Sequence, residues 1–425
     1  ALEALYQASA IDVTGGMLDI NPEVSICPEA SRSFPGQPGL VIRSRAGQAI
    51  LPKFRFEVAE QDRLGVRLTY KDHTHMLTYT ASFAIDPLTH VLEASAHLSA
   101  QQPICLDWLA APVLPAPQHC DAMIDFAGRW CGEFQTNTTP WSAGIRLRES
   151  RTGRTGHEHF PGLILPCRGA TNTSGQAYAF HYGWSGGHRM VAEELPDGRR
   201  QLQFGHASRS ETNAQTDSET AKVYAAFSSA GINGCAVAFQ RHVRDRIVQF
   251  PDPQRPRPLH YNCWEAVYFD HKLDELKDIA TLAAGLGAER FVLDDGWFAN
   301  RDDDTQALGD WQVDRRSCPD GLHPLIAHVH SQGMAFGIWF EPEMINANSS
   351  TFRAHPDWVL GDDDQILGRN QMALNMTIPE VQDYLFEQIS AILSDHAIDY
   401  IKWDHNRVLP TPDAAQTRGT YAVLD

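Results

Sequence analysis

The sequence predicts two units in one chain. An antiparallel β-sandwich spans residues 1–250, and a parallel β/α unit spans 259–425 and forms the first half of a (β/α)8 barrel. Three observations carry this prediction. Short runs of alternating apolar and polar residues recur up to residue 250. Residues 251–258, Pro-Asp-Pro-Gln-Arg-Pro-Arg-Pro, set four prolines in eight positions, which excludes helix and central strand alike and marks a linker. After it the rhythm changes to short apolar strands separated by helical patterns, the signature of parallel βα units.

In the first unit, Phe54-Arg55-Phe56-Glu57-Val58, Val66-Arg67-Leu68-Thr69-Tyr70, Met76-Leu77-Thr78-Tyr79-Thr80 and Val91 to Leu98 alternate with the two-residue period of a half-buried strand. Tyr178 to Tyr182 and Gln201 to Phe204 continue the series, and turns such as Ser185-Gly186-Gly187 and Pro196-Asp197-Gly198 separate the runs. Many short strands at this spacing predict a large antiparallel sandwich.

In the second unit, a strand over Tyr261–Trp264 precedes a helix over about 271–287, whose Leu273, Leu276, Ile279, Ala280, Ala283 and Leu286 keep helical spacing. Strand 290–294, helix 324–332, strand 335–340, helix 379–395 and strand 398–403 follow. The stretch from 259 onward is shorter than the roughly 250 residues of a complete eight-unit barrel. The expectation is therefore that the chain stops before a barrel closes.

The net charge of −18 argues against nucleic acid and anionic membranes as partners. No apolar run is long enough for a transmembrane helix, and the N-terminus lacks a signal-like segment. Eight scattered cysteines without C-x-x-C spacing predict reduced thiols in a cytoplasmic protein. No Gly-rich phosphate loop, G-x-S-x-G elbow or H-E-x-x-H motif is present, and the His73/His75 and His157/His159 clusters lack a third ligand at useful spacing. No cofactor and no metal are expected.

The chemistry concentrates where apolar strands end in carboxylates: Asp294-Asp295 after Phe291-Val292-Leu293, Glu341-Pro342-Glu343 after Phe336 to Phe340, and Asp404 after Ile401-Lys402-Trp403. Such placement at C-terminal strand ends is where a (β/α) barrel keeps its catalytic groups. Alternation puts Lys402, Asp404 and Asn406 on one face. There Lys402 would favour the ionised form of Asp404, as a nucleophilic carboxylate requires. In Asp294-Asp295-Gly296-Trp297, paired acceptors beside an indole suit a sugar, the carboxylates taking hydroxyls and the ring covering a C–H face. A Mg²⁺ or Ca²⁺ site, or a simple turn cap, would use the same residues. Trp264 and Trp339, placed on the first and third strands near these acids, are further candidates.

Taken together, Tyr261 to Ala266, Leu293 to Phe298, Gly309-Asp310-Trp311, Gly337 to Met344, His355 to Trp358 and Ile401 to Asp404 resemble the motifs of glycoside hydrolase family 36, the α-galactosidases of bacteria and fungi. Phe126 to Trp130 and Gly153 to His159 resemble motifs of that family's sandwich domain. The resemblance implies an N-terminal β-supersandwich, a (β/α)8 TIM barrel, and a retaining mechanism through a covalent galactosyl–enzyme intermediate. It implies that Asp404 is the nucleophile, that Asp294 and Asp295 grip the C4 and C6 hydroxyls of galactose, and that Trp264, Trp339, Arg369, Lys402 and Asn406 are substrate-binding. The implied partner is a galactose-containing oligosaccharide of the raffinose or melibiose type. Large enzymes of this build often associate, so a homo-oligomer is a further expectation. Cys263 stands where the family usually has a small hydroxyl residue. The family's acid/base Asp lies on a later strand, so it is expected beyond Asp425. A related α-glycosidase, a galactosyl transferase and a non-catalytic galactose-binding protein stay open as alternatives.

Overall fold

The computed structural model describes residues 24–207, 214–362 and 364–410. It divides into two compact units between Gln249 and Phe250. In the first, a twelve-stranded sheet is paired antiparallel, with its longest strand, Leu92–Leu109, near the middle. The alternation read from the sequence is physical there. Leu92, Ala94, Ala96 and Leu98 face the core while the residues between them are half-exposed. A four-stranded antiparallel sheet built on His188–Glu194 and Arg200–His206 supplies Met190, Ala192, Leu202 and Phe204 to the same core.

This β-rich unit also contains a helix, Ile232–His242, that the strand count passed over. Its Ile232, Cys235, Ala238 and Phe239 recur at helical spacing and pack on Ala177, Ala179 and Ala226. The linker behaves as its prolines dictate: neither helix nor strand forms between Ile247 and His260.

The second unit holds four parallel strands in sequential order: β1 (His260–Asn262), β2 (Arg290–Leu293), β3 (Ala335–Phe340) and β4 (Tyr400–Trp403). The helices α1 (Leu273–Gly285), α2 (His323–Ser331) and α3 (Pro379–Asp395) connect them. β2 and β3 are buried on both faces, which is why they read as unbroken apolar runs rather than alternating ones. Strand packing leaves no room at Gly337, where a Cβ would lie 2.9 Å from the Tyr400 ring.

The structure departs from the sequence reading at the end of β1 and at Trp297. β1 stops at Asn262, and Trp264 opens a short helical turn, Trp264–Val267, instead of ending the strand. The Asn262 side-chain oxygen accepts the Trp264 N–H at 2.8 Å, a local bond that competes with the sheet ladder. Trp297, read from sequence as a sugar-stacking ring, is instead fully buried in the core among Phe298, Trp311 and Phe340, and its Nε1 donates to the Trp339 carbonyl at 2.8 Å. An indole so enclosed cannot cover a sugar.

Candidate active site

The parallel register brings the C-terminal ends of β2, β3 and β4 side by side, and each end carries a carboxylate: Asp294 and Asp295, Glu341, and Asp404. Asp294 and Asp295 are buried, while Lys402, Asp404, Asn406 and Trp264 are half-exposed and Arg369 is exposed. The cluster thus has an acidic floor and a wetter rim.

Alternation along β4 holds at the site. Lys402 and Asp404 turn toward Asp294 and Trp339, whereas Trp403 and His405 turn toward Glu343. The cation, however, does not sit on Asp404. Lys402 Nζ lies 2.7 Å from Asp294 Oδ2, and Asn262 Nδ2 donates to that same oxygen. The Asp295 N–H donates to Asp294 Oδ1 at 2.9 Å. Behind Asp294, its own N–H meets the Cys263 sulfur at 3.3 Å, and burial pushes that thiol up to about 12.

Asp295 is gripped by a residue with no signal in the sequence. Arg301, from a polar loop, donates Nε and Nη2 to the two carboxylate oxygens at 2.9 and 2.8 Å, and both side chains are buried. Burial raises the Asp295 carboxyl above its ordinary value, with Arg301 and, more weakly, Arg369 acting against it. Arg301 Nη1 reaches on to the Gln306 carbonyl at 2.7 Å and Asn346 Oδ1 at 2.9 Å.

Asp404 is held for a different task. Trp339 Nε1 donates to Oδ2 at 2.8 Å and the His405 N–H to Oδ1 at 3.0 Å. Burial alone would raise this carboxyl. Hydrogen bonds from Trp339 and Asn406, then the charge of Lys402, outweigh it and hold Asp404 below the usual carboxylate range. Trp339 is therefore a buried donor that aims a carboxylate, not an exposed stacking ring. Trp264 lies edge-on to Tyr268 and Phe269, each ring centroid 5.1 Å away.

Glu341 behaves oppositely. Burial pushes its carboxyl up to about 7, and the charges of Asp404 and Asp295 add to the rise against hydrogen bonds from the Asn406 backbone and Gln371. Unfolded, it would titrate near 4.5. The native state thus keeps a proton that the unfolded chain has lost, and stability that is full below pH 4.5 declines as pH rises to 7, by about 3 kcal/mol. Glu341→Gln should therefore match the wild type in urea unfolding at pH 4 and exceed it by up to about 3 kcal/mol at pH 8. An equal gap at both pH values would contradict a buried, proton-holding Glu341.

Two groups among the described residues could hold a metal ion, His119/Cys120/Cys167 and His323/Asp395/His396; neither includes a member of the carboxylate cluster. No helix among the described residues is long and apolar enough to cross a membrane.

Comparison with known proteins identifies the family. Residues 5–212 match the glycosyl hydrolase family 36 N-terminal domain, and residues 217–421 match the melibiase family. An α-galactosidase of Escherichia coli is 39% identical over 430 residues, covering 97% of this chain and 60% of that enzyme. AgaA of Geobacillus stearothermophilus is 37% identical over 320 residues, covering 71% of this chain and 44% of AgaA. A solved raffinose complex of an AgaA variant superposes with a TM-score of 0.87 at 28% identity, covering 94% of this chain and 60% of that one. The chain spans about three fifths of the E. coli relative and under half of AgaA. With the sandwich and the parallel β/α unit in agreement with these matches, the chain belongs to glycosyl hydrolase family 36.

Proposed function

We propose that this chain carries the galactose subsite and the nucleophile of a retaining α-galactosidase that removes terminal α-linked galactose from oligosaccharides of the raffinose or melibiose type. The observation that carries the proposal is Asp404, a carboxylate held ionised and gripped at both oxygens, beside the buried pair Asp294 and Asp295. In this reading one Asp404 oxygen attacks C1 of the galactoside, the C1–O bond breaks, and the leaving oxygen takes a proton. Water then cleaves the galactosyl ester with a second inversion, so configuration is retained. Asp294 and Asp295 accept the C4 and C6 hydroxyls. Their partners, Lys402 and Arg301, keep the acceptors oriented before the sugar arrives. The raffinose bound to the AgaA variant supports the substrate class, and the eight free cysteines support a reducing, cytoplasmic setting.

The test is stereochemical. Proton NMR of an aryl α-galactoside reaction should show α-galactose as the first-formed product; β-galactose would exclude a galactosyl–enzyme route. Selectivity provides a second measurement. Asp295→Asn keeps a partner for Arg301 but weakens the acceptor. The kcat/KM preference for aryl α-galactoside over aryl α-glucoside should then fall about 10- to 100-fold. An unchanged ratio would show that this carboxylate does not read the epimeric hydroxyl.

A further inference from the structure

We propose that Glu341 is a positioning residue for this galactosyl transfer, joining the loop that carries Asp404 and Asn406 to the turn that carries Arg369. The assignment rests on the α-galactosidase reading above and adds to it a residue that touches no substrate.

Glu341 follows β3 directly and is buried. Its Oε1 accepts the Asn406 N–H at 2.5 Å, and its Oε2 accepts Gln371 Nε2 at 2.9 Å. One carboxyl therefore spans two segments that are far apart in sequence. Asn406 bonds Asp404 in turn, so the first contact bears on the nucleophile. Gln371 closes a two-residue turn, its N–H bonded to the Gly368 carbonyl at 3.0 Å, and the residues between are Arg369 and Asn370.

That turn needs a brace. Arg369 and Asn370 have φ of +53° and +59°, the pairing a type I′ turn demands and one that glycine or asparagine, not arginine, adopts readily. Backbone in such a sparsely populated region persists when its surroundings over-determine it, and this happens most often at ligand sites. Here the surroundings do so from three sides. Asn346, itself bonded to Arg301, donates to the Asn370 carbonyl at 2.8 Å. Arg407 Nη1 donates to the Gln371 carbonyl at 2.5 Å. Glu341 takes the Gln371 side chain. A continuous chain of contacts thus runs from Asp295 through Arg301, Asn346, the 368–371 turn, Gln371 and Glu341 to Asn406 and Asp404.

The competing role for a protonated carboxyl beside a nucleophile is general acid. Glu341 is buried and both its oxygens are already engaged inside the protein, which favours a strut over a proton donor.

Two substrates separate these roles. α-Galactosyl fluoride needs little protonation of its leaving group, whereas melibiose needs it fully. Glu341→Ala leaves the Asn406 N–H and the Gln371 amide without this acceptor, and kcat/KM should fall about 10- to 100-fold on both substrates. Glu341→Gln should stay within about threefold of wild type on both. Its carbonyl accepts the Asn406 N–H, and its amide donates to Gln371 Oε1, an atom with no hydrogen-bond partner among the described residues, once the Gln371 amide rotates. If Glu341→Ala does not fold, Gln371→Leu cuts the second arm alone and should lower kcat/KM about tenfold on both substrates.

Loss on melibiose with the fluoride spared, in either Glu341 variant, would make Glu341 the proton donor and overturn the assignment. So would wild-type kinetics in Glu341→Ala or, where that variant does not fold, in Gln371→Leu. A wild type that releases no fluoride from α-galactosyl fluoride would overturn the proposed function, and this assignment with it.

Discussion

Asp404→Asn should abolish turnover, lowering kcat at least about 10³-fold, while galactose still binds. The two side chains are nearly isosteric, so the loss would be chemical. An amide nitrogen cannot attack C1, and it must face either the Trp339 N–H or the His405 N–H, a donor set against a donor. Asp294, Asp295 and Lys402, which would hold the sugar, keep their contacts, so binding of the ground state should survive. Neutral galactose is the ligand to measure by calorimetry, because a cationic sugar mimic would lose its attraction to the Asp404 charge and confuse the comparison. In the wild type, acid-quenched reaction with α-galactosyl fluoride should label the peptide that contains Asp404 with one galactosyl group. Near-wild-type kcat in the variant, or labelling elsewhere, would remove Asp404 from its role.

Arg301→Ala should destabilise the protein by about 3–5 kcal/mol, the usual cost of leaving one partner of a buried ion pair uncompensated. Arg301 and Asp295 are both sealed from solvent, so water cannot replace the lost guanidinium. The substitution also strips a donor from the Gln306 carbonyl and from Asn346. Denaturant unfolding followed by tryptophan fluorescence is a suitable measure, since Trp297, Trp311 and Trp339 belong to the core of this unit. A second substitution, Asp295→Asn, should recover part of the loss by removing the stranded charge. A change below about 1 kcal/mol for Arg301→Ala alone would mean that the pair is not isolated from solvent.

Much of the site was legible because it is written in local spacing. Two-residue alternation set Lys402 and Asp404 on one face and Trp403 and His405 on the other, and the side chains partition that way. The carboxylates at the strand ends were legible for the same reason: an apolar run followed by acids places those acids at the strand's C-terminal end whatever the neighbours are. Helix Ile232–His242 had a local signal too. Its three- and four-residue spacing was available but lay within a stretch dominated by strand patterns.

What the sequence alone determined, then, is the division into a sandwich and a β/α unit, the strand ends that carry Asp294, Asp295, Glu341 and Asp404, and the face that Lys402 shares with Asp404. What only the tertiary structure decided is who partners whom. Lys402 neutralises Asp294 across 108 positions rather than Asp404 two residues away, Arg301 claims Asp295, and Glu341 reaches Asn406 across 65. Trp297 and Trp339 are the same residue type near the same acids. Packing buries the first in the core and turns the N–H of the second onto Asp404. The physical reason is the range of the forces involved. Backbone periodicity acts over a few residues and can be read along the chain. Desolvation and charge pairing act between groups that become neighbours only after parallel strands have brought distant segments into register.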